Sequence, residues 1–184
     1  MKEEIVLLEK ERWAGHILPM PSYTATEHYA LSLRRTEDGL CAEFALRPLS
    51  SPLVFTPERY DHPDRLYAPH FEGAAAYGIL HGEELIAVIE LCPEEWNGRV
   101  RVTELWVKED CRSRGLGKRL LTFAKEEARR TGRRALVLET QSCNTRAIAF
   151  YFREWLLFIG FDACSYTNED ISRGEVRLEL GIIF

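Results

Sequence analysis

The sequence predicts an α/β domain built on a mixed, mostly antiparallel β-sheet. Three strand patterns follow one another between residues 76 and 107, separated by short turns that contain glycine. A helix pattern, a strand, a second helix and two closing strands come after them. Consecutive strands favour antiparallel pairing, whereas a strand–helix–strand order favours parallel pairing, so both kinds are expected in one sheet.

The N-terminal third is the least regular part of the sequence. Residues 1–22 show no clear period. Residues 27–35 and 40–49 predict the two strands of a hairpin, with TEDG as its turn. The SSP and TP segments at 50–57 predict the end of the second strand, and the proline-punctuated stretch 57–71 predicts a small helix.

The three consecutive strands are AYGIL, LIAVIEL and VRVTELWV, with HGEE and the pair Asn97-Gly98 marking the turns. In the third strand Val100 and Val102 share one face, whereas Leu105 and Val107 share the other. A β-bulge near Thr103-Glu104 would produce this change of face, because one extra residue re-phases the alternation. A change from edge to buried surroundings would produce it too, and the sequence leaves both open.

A helix is predicted from residue 115 to 132 and a short strand from 135 to 139. The apolar residues of that helix recur at helical spacing and are Leu116, Leu120, Leu121, Ala124 and Ala128. Asn144 is a suitable N-cap for a second helix, which carries Ala147, Ile148, Tyr151 and Trp155. The closing strands are predicted at 159–166 and 175–182.

Composition limits the class of protein. Hydrophobic residues make up 46% and charged residues 29%, as in globular proteins. The net charge of −5 argues against an indiscriminate nucleic-acid binder, although twelve of the 24 basic residues lie between Arg99 and Arg134. The N-terminus lacks the apolar stretch of a signal peptide and no segment is long enough to span a bilayer, so we expect a cytoplasmic protein without membrane contact.

Cysteine and histidine spacing predicts no metal site. The five cysteines are scattered and form no CxxC pair, which favours reduced thiols over a zinc site or a disulfide frame. The histidines likewise show no spacing typical of metal ligands; they are His16, His28, His62, His70 and His81.

The segment CRSRGLGKRL, between the third strand and the first long helix, predicts an anion site. Gly115 and Gly117 allow the backbone to approach a ligand closely, and the first turn of a helix has unpaired N–H groups. Arg112, Arg114 and Lys118 add positive charge, so a pyrophosphate is the natural occupant. A glycine turn with solvated arginines is the alternative, and the ATP-type and dinucleotide glycine spacings are both absent.

The residues 112–117, RSRGLG, resemble the [RQ]xxGx[GA] loop of the GNAT superfamily of N-acetyltransferases. Farther along, LETQSCN-x-x-A-x-x-FY followed by IGFD and YTNEDI is similar to the streptothricin acetyltransferases and their bacterial relatives. The resemblance implies one GNAT domain over residues 1–184, with 1–72 poorly matched and 73–184 forming the acetyl-CoA-binding core. It also implies helices on both faces of the sheet and splayed parallel central strands that bind acetyl-CoA.

The resemblance further implies a set of site residues. Tyr151 would be the proton donor to the leaving thiolate, although an aromatic side chain packed in the core is the alternative. Glu104 would be the general base through a water molecule, with a solvated strand carboxylate as the alternative. Glu139 and Asp162 would recognise a cationic amine. The implied acetyl-CoA contacts are Leu105, Trp106, Val107, Arg112, Ser113, Arg114, Gly115, Leu116, Gly117, Lys118, Asn144, Ala147 and Tyr151.

The expected function is direct transfer of an acetyl group from acetyl-CoA, without a metal, to a primary amine of a small cationic acceptor such as a streptothricin-like antibiotic. The alternatives are acetylation of a peptide, lysine or polyamine, a non-catalytic acyl-CoA sensor, and a nucleic-acid binder. A homodimer is also expected, because closing strands often pair between subunits in this superfamily. One departure is Trp155, which stands where relatives have a helix-ending glycine, so the helix should run on or end differently.

Overall fold

The computed structural model describes residues 4–20, 22–59 and 63–184. In chain order the elements are β1 (Ile5–Leu8), α1 (Lys10–Trp13), β2 (Tyr23–Arg35), β3 (Leu40–Phe55), β4 (Ala75–His81), β5 (Glu84–Glu94), β6 (Arg99–Val107), α2 (Leu116–Arg130), β7 (Ala135–Gln141), α3 (Thr145–Arg153), β8 (Leu157–Asp162), α4 (Asp170–Arg173) and β9 (Arg177–Ile183). Short 3-10 turns lie at Pro57–Arg59 and Glu109–Cys111.

The described residues fall into two compact units. Those within Met1–Pro21, Pro57–Leu138 and Gly181–Phe184 form the first unit. Those within Ser22–Thr56 and Glu139–Leu180 form the second unit.

The first unit contains a mixed sheet with the strand order β1, β4, β5, β6, β7. Its first three neighbouring pairs are antiparallel. β6 and β7 run parallel, and Arg99–Val102 pair with Ala135–Leu138. Both kinds of pairing therefore occur together, and the predicted α/β fold with a mixed, mostly antiparallel sheet is confirmed.

Apolar side chains fix the helix and the N-terminal segment of the first unit. The five apolar residues predicted for α2 are all buried, which is why this amphipathic helix packs in one orientation. Its Phe123 ring lies 4.7 Å from the ring of Tyr77 on β4. A separate hydrophobic cluster packs the N-terminal segment against β4 and β5. Its buried members are Leu8, Trp13, Leu18, Leu66, Tyr67, Ala76, Leu85 and Val88.

The second unit contains the long antiparallel hairpin of β2 and β3, the helices α3 and α4, strand β8 and the neighbouring strand β9 up to Leu180. Its core is formed by Leu31, Ile148, Val176 and Leu178. Tyr29 and Phe44 pack against this cluster from the hairpin. The predicted hairpin is therefore confirmed, and it provides core residues for α3.

The predicted end of β3 at Leu49 is wrong, because the strand continues to Phe55. Glu27 pairs with Pro48, whereas Ala25 pairs with Leu53, so the partner strand carries extra residues at this register shift. The SSP segment is accommodated there as a bulge and pairing resumes through Phe55. A proline can be tolerated because each strand of a two-stranded ribbon has one edge without a partner strand.

Other boundaries also differ from the prediction. In the stretch 57–71 the described residues form a 3-10 turn at Pro57–Arg59 and no α-helix; residues 60–62 lie outside the described part. β1, α1 and α4 were not predicted, because four residues are too few to show a period. β8 starts at Leu157 and ends at Asp162, earlier than predicted, because the Asp162 carboxylate accepts a hydrogen bond from the Cys164 amide and turns the chain.

Candidate active site

β6 contains a β-bulge in the middle of its length. Glu90 of β5 pairs with Glu104, but the next residue, Leu91, pairs with Val102. Thr103 is therefore the extra residue of the bulged strand. This decides between the two explanations that the sequence left open, and the bulge is confirmed.

The backbone after the bulge faces in two directions. The Lys108 amide donates to the Ile86 carbonyl at 2.9 Å, so the backbone hydrogen-bonding groups of Lys108 face β5. Because hydrogen-bonding direction alternates along an antiparallel strand, Trp106 points the same way, whereas Leu105 and Val107 point away from β5. The parallel pairs with β7 end at Val102, which leaves the backbone groups of Leu105 and Val107 beyond that ladder.

The loop after β6 brings a helix start to this strand end without a side-chain cap. Gly115 is the N-cap of α2, has φ +79 and makes no side-chain cap hydrogen bond. A Cβ added there would meet no atom within 4 Å, so the space beside Gly115 is open. Ser113 also has a left-handed backbone, with φ +61, and Leu116 is buried and anchors the turn. The first-turn N–H groups have no intrahelical acceptors and can bind an anion.

Two arginines of the loop brace it internally. The Arg112 Nε donates to the Val107 carbonyl at 3.3 Å, and an Arg114 Nη lies 3.4 Å from Cys111 Sγ. Cys111 is buried beneath the loop. These contacts keep two formal positive charges beside the uncapped helix start and stiffen the loop that carries them.

Glu104 lies half-buried on β6, directly across from the buried Glu90. Trp106, on the same face of the strand, donates from its indole Nε1 to the Pro19 carbonyl at 2.9 Å. This bond fixes the N-terminal segment beside the end of β6.

A cleft of about 520 Å3 lies at the same end of β6. Trp106 and Arg112, both predicted site residues, line it together with Trp13, His16 and Pro19 of the N-terminal segment. The last three could not be identified from the sequence, because residues 1–22 lack a period. Their proximity depends on long-range pairing: the Leu18 amide, for example, donates to the Asp64 carbonyl.

In the second unit, the side chain of the N-cap residue Asn144 caps the start of α3. The Asn144 side-chain oxygen accepts a hydrogen bond from the Ala147 amide at 3.2 Å. The Asn144 amide donates to the Gln141 carbonyl at the end of β7. The predicted N-cap is confirmed, and Ala147 is the residue whose amide it satisfies.

Tyr151 is half-buried on α3, with its ring 5.3 Å from that of Phe150. Burial, and secondarily the negative charge of Glu139, raise the pKa of Tyr151 to about 12. The phenol is therefore protonated across the physiological pH range and can donate a hydrogen bond.

Glu139 is held by two partners that the sequence did not reveal. Tyr166 donates its hydroxyl to the Glu139 carboxylate at 3.2 Å, and Arg177 Nε lies 3.3 Å from the same carboxylate. Burial and the Glu139 charge raise the pKa of Tyr166. Asp162 lies exposed at the end of β8, where its carboxylate accepts from the Cys164 amide.

α3 does not run on at Trp155. Trp155 has a left-handed φ of +66, and its amide donates to the Phe152 carbonyl. The Leu156 amide donates to the Tyr151 carbonyl, which completes a Schellman motif. A tryptophan therefore occupies the backbone conformation that glycine normally supplies, and the helix ends in the usual way.

Ion pairs use much of the basic segment of residues 99–134. Arg99 and Arg101 both pair with Glu94 at 2.7 Å. Arg133 pairs with Glu95 at 2.6 Å, and Arg130 pairs with Glu127 at the same distance. The positive charge is thus locally compensated, which does not favour a nucleic-acid surface.

The described residues contain no group of three or more His, Cys, Asp or Glu side chains that could hold a metal ion. His62 lies outside the described residues. No helix within residues 4–20, 22–59 and 63–184 is long and apolar enough to cross a membrane.

The chain matches the profile of the Acetyltransferase (GNAT) family over residues 44–154. It is 32% identical over 97 residues to streptothricin acetyltransferase A of Bacillus subtilis (strain 168), covering 53% of this chain and 56% of that protein. It is 32% identical over 87 residues to streptothricin acetyltransferase of Streptomyces lavendulae, covering 47% and 46%. The chain spans about half the length of the curated relatives it matches.

Solved structures share the fold over the whole chain. A protein from Bacillus anthracis str. Ames assigned as a streptothricin acetyltransferase, solved in complex with acetyl coenzyme A, gives a TM-score of 0.71 at 23% identity and covers 100% of this chain and 98% of that chain. Nourseothricin acetyltransferase gives a TM-score of 0.68 at 20% identity, with 100% and 99% covered. Since the family profile spans more than half of the sequence and the fold agrees, the chain belongs to the acetyltransferase (GNAT) family.

Proposed function

We propose that this protein is an acetyl-CoA-dependent N-acetyltransferase that modifies a primary amine of a small cationic molecule, with streptothricin-like antibiotics as the first candidates. Family membership supports the reaction, and the two curated relatives support the acceptor class. The observation that carries the proposal is the uncapped start of α2 at Gly115, directly after a bulged strand. That combination provides the first-turn N–H groups of a helix without a side-chain cap for a pyrophosphate and strand backbone groups for the rest of the cosubstrate.

The residues present fit acetyl-CoA. The first turn of α2, from Leu116 to Lys118, would bind the pyrophosphate through backbone N–H groups, because the open space beside Gly115 admits it. Arg112, Ser113 and Arg114 would complete this loop. The backbone groups of Leu105 and Val107 would bind the pantetheine arm and polarise the thioester carbonyl. Asn144 would add a hydrogen bond to the arm while it continues to cap α3.

Acyl transfer requires three proton and charge movements. The acceptor ammonium, with a pKa near 10.4 in its free form, must lose a proton before its nitrogen can attack. Glu104 would take that proton through a water molecule as general base. The amine nitrogen then bonds to the acetyl carbon, the carbon–sulfur bond breaks, and the sulfur leaves as a thiolate. The nitrogen releases its second proton to solvent, which gives the neutral amide, and solvent returns a proton to Tyr151 after it has protonated the thiolate. Tyr151 would stabilise and protonate that thiolate, because its phenol remains protonated at neutral pH.

Carboxylates support the choice of a cationic acceptor. Glu139 and Asp162 would bind its ammonium groups, and the net charge of −5 would attract a polycation weakly over longer distances. Arg177 and Tyr166 would orient the Glu139 carboxylate for that contact.

The cysteines support the location that we propose. Cys41 and Cys164 are exposed and reduced, which fits the cytoplasm. One GNAT domain per chain and a homodimer also remain predictions.

The test is the release of free thiol from acetyl-CoA with streptothricin, a polyamine and a peptide amine as acceptors. We expect turnover on streptothricin and a loss of at least about tenfold in kcat for Tyr151→Phe, equivalent to about 1.4 kcal/mol of transition-state stabilisation. Tyr77→Phe is the matched control, because Tyr77 packs on α2 through its ring and should keep full activity.

Each result separates the candidate functions. Turnover on another amine alone would keep the reaction and reject the antibiotic as acceptor. Acetyl-CoA binding without thiol release from any amine would reject an enzyme and favour an acyl-CoA sensor. Full activity of Tyr151→Phe would reject the role of the phenol while leaving the reaction intact.

A further inference from the structure

Glu90 is a carboxylate in the interior of β5, with 0% of its surface exposed. Thr103 donates its hydroxyl to Glu90 Oε1 at 2.8 Å, and the Tyr67 amide donates to Oε2 at 2.6 Å. Both carboxylate oxygens therefore have a defined donor, and the side chain is held in one orientation.

A carboxylate in this position is costly. Removing an ionised carboxylate from water costs several kcal/mol even after the protein relaxes. Burial accordingly raises the pKa of Glu90, while the bonds from Tyr67 and Thr103 act in the opposite direction. Val88, two residues earlier on the same strand, is a fully buried apolar side chain, so an apolar residue would avoid this cost. Something other than core stability must explain why a carboxylate stands here.

The hydrogen-bond partner Thr103 provides an explanation for the buried carboxylate of Glu90. Thr103 is the extra residue of the bulge in β6, and its hydroxyl also lies 3.4 Å from the Glu90 carbonyl oxygen. One side chain and its own backbone thus hold the residue that interrupts the β5–β6 ladder. The bulge determines which backbone groups face away from β5 two and four residues later, at Leu105 and Val107.

The second oxygen of the Glu90 carboxylate, Oε2, is held by a residue that is itself fixed in place. Tyr67 has a left-handed φ of +57, which directs its amide at the carboxylate. Its hydroxyl donates to the Leu8 carbonyl and accepts from the Ala76 amide. The carboxylate therefore connects the bulge to a loop that is fixed to two further strands.

We propose that Glu90 is a positioning residue that, through Thr103, holds the β6 bulge in register and so directs the backbone groups of Leu105 and Val107 at the thioester. The inference rests on the proposed function for the role of these backbone groups. It does not rest on it for the bulge itself, which is a property of the free protein and can be measured separately.

The test compares Thr103→Val, which removes the hydroxyl and keeps the shape, with Thr103→Ser, which restores the hydroxyl. Glu90→Gln replaces two acceptors by one. Three quantities are measured: amide hydrogen exchange of residues 104–107 in the free protein, the acetyl-CoA Kd by calorimetry, and kcat and KM. We expect Thr103→Val and Glu90→Gln to accelerate exchange and raise the Kd by about tenfold, and Thr103→Ser to return both toward the original values.

Glu94→Gln is the control, because Glu94 is another shielded carboxylate of β5 that forms ion pairs with Arg99 and Arg101 away from the bulge. It should lower thermal stability and leave acetyl-CoA binding and the exchange of residues 104–107 unchanged. An equal effect of Glu94→Gln on acetyl-CoA binding would mean that general destabilisation explains the result, and the proposal would be rejected.

The proposal is also overturned if Thr103→Val retains the original exchange rates and Kd. If the unmodified protein neither binds acetyl-CoA nor releases thiol, the proposed function fails, and the exchange experiment still decides whether Glu90 fixes the bulge. If Glu90→Gln does not fold, the Thr103 pair decides alone, since both Thr103 variants keep the Glu90 carboxylate and its hydrogen bond from the Tyr67 amide.

Discussion

The two longest helices, α2 and α3, begin in opposite ways. α2 starts at a glycine with φ +79 and has no side-chain cap, whereas α3 starts at Asn144, whose side chain accepts from the Ala147 amide at 3.2 Å. Capping typically contributes about 1 kcal/mol to stability. α2 forgoes that stabilisation, and no side chain occupies the capping position in front of its first turn.

The difference shows how the same backbone can serve stability or binding. A capped start satisfies a donor internally and is closed to a ligand at that position. An uncapped start is less stable until an anion supplies the missing acceptors. α2 compensates with five buried apolar residues along its length, so packing holds the helix and its N-terminus can be used for binding.

The largest expected effect comes from closing the start of α2. Gly115→Ala forces an L side chain into a left-handed conformation, which costs roughly 1–2 kcal/mol, and places a methyl group where the anion must approach. We expect the acetyl-CoA Kd to rise by at least about tenfold, measured by calorimetry, together with the loss of stability measured by urea denaturation.

Gly132→Ala is the matched control at the other end of the region. Gly132 follows α2, has φ +69, and like Gly115 has no atom within 4 Å of an added Cβ. The stability loss should be similar, and the acetyl-CoA Kd should stay unchanged. A similar rise in Kd for both variants would show that strain, not loss of an anion site, controls binding.

Removing the N-cap of α3 should lower the stability of the protein. Asn144→Ala removes the acceptor of the Ala147 amide and is expected to lower the free energy of unfolding by about 1 kcal/mol, measured by urea denaturation. Asn144→Asp keeps an acceptor and should stay within a few tenths of a kcal/mol of the original stability. If Asn144→Ala leaves stability unchanged, the contrast between the two helix starts has no energetic content.

The region from β6 to α2 could be predicted from sequence because its signals are local. The change of face between Val102 and Leu105, the two glycines and the repeating leucines all lie within thirty residues. They predicted the strand and the helix and offered the bulge as one of two explanations, and the N-cap Asn144 was recognised in the same way.

What could not be predicted depends on contacts between distant segments. The Tyr67 amide on Glu90, the Tyr166 hydroxyl on Glu139 and the Pro19 carbonyl on Trp106 each join residues more than twenty positions apart. In the sequence, Glu90 is the one charged residue of the predicted strand LIAVIEL. Only the register of β5 and β6 shows that it faces the bulge.

The end of α3 offers the smallest and most unusual effect, because here a substitution should stabilise the protein. Trp155 is 80% exposed and has φ +66, so it contributes little burial while paying the strain of a left-handed backbone. Trp155→Gly removes that strain, and the greater freedom of glycine in the unfolded chain offsets part of the gain, which leaves an expected increase of about 0.5 kcal/mol in the free energy of unfolding.

Trp96→Gly is the comparison, since Trp96 is 86% exposed but is not among the residues with positive φ. It should lower stability slightly, because glycine adds unfolded-state entropy without relieving strain. If Trp155→Gly destabilises as much as Trp96→Gly in urea denaturation, the tryptophan contributes contacts that outweigh its strain, and the end of α3 would then be stabilised by a side chain, as its start is by Asn144.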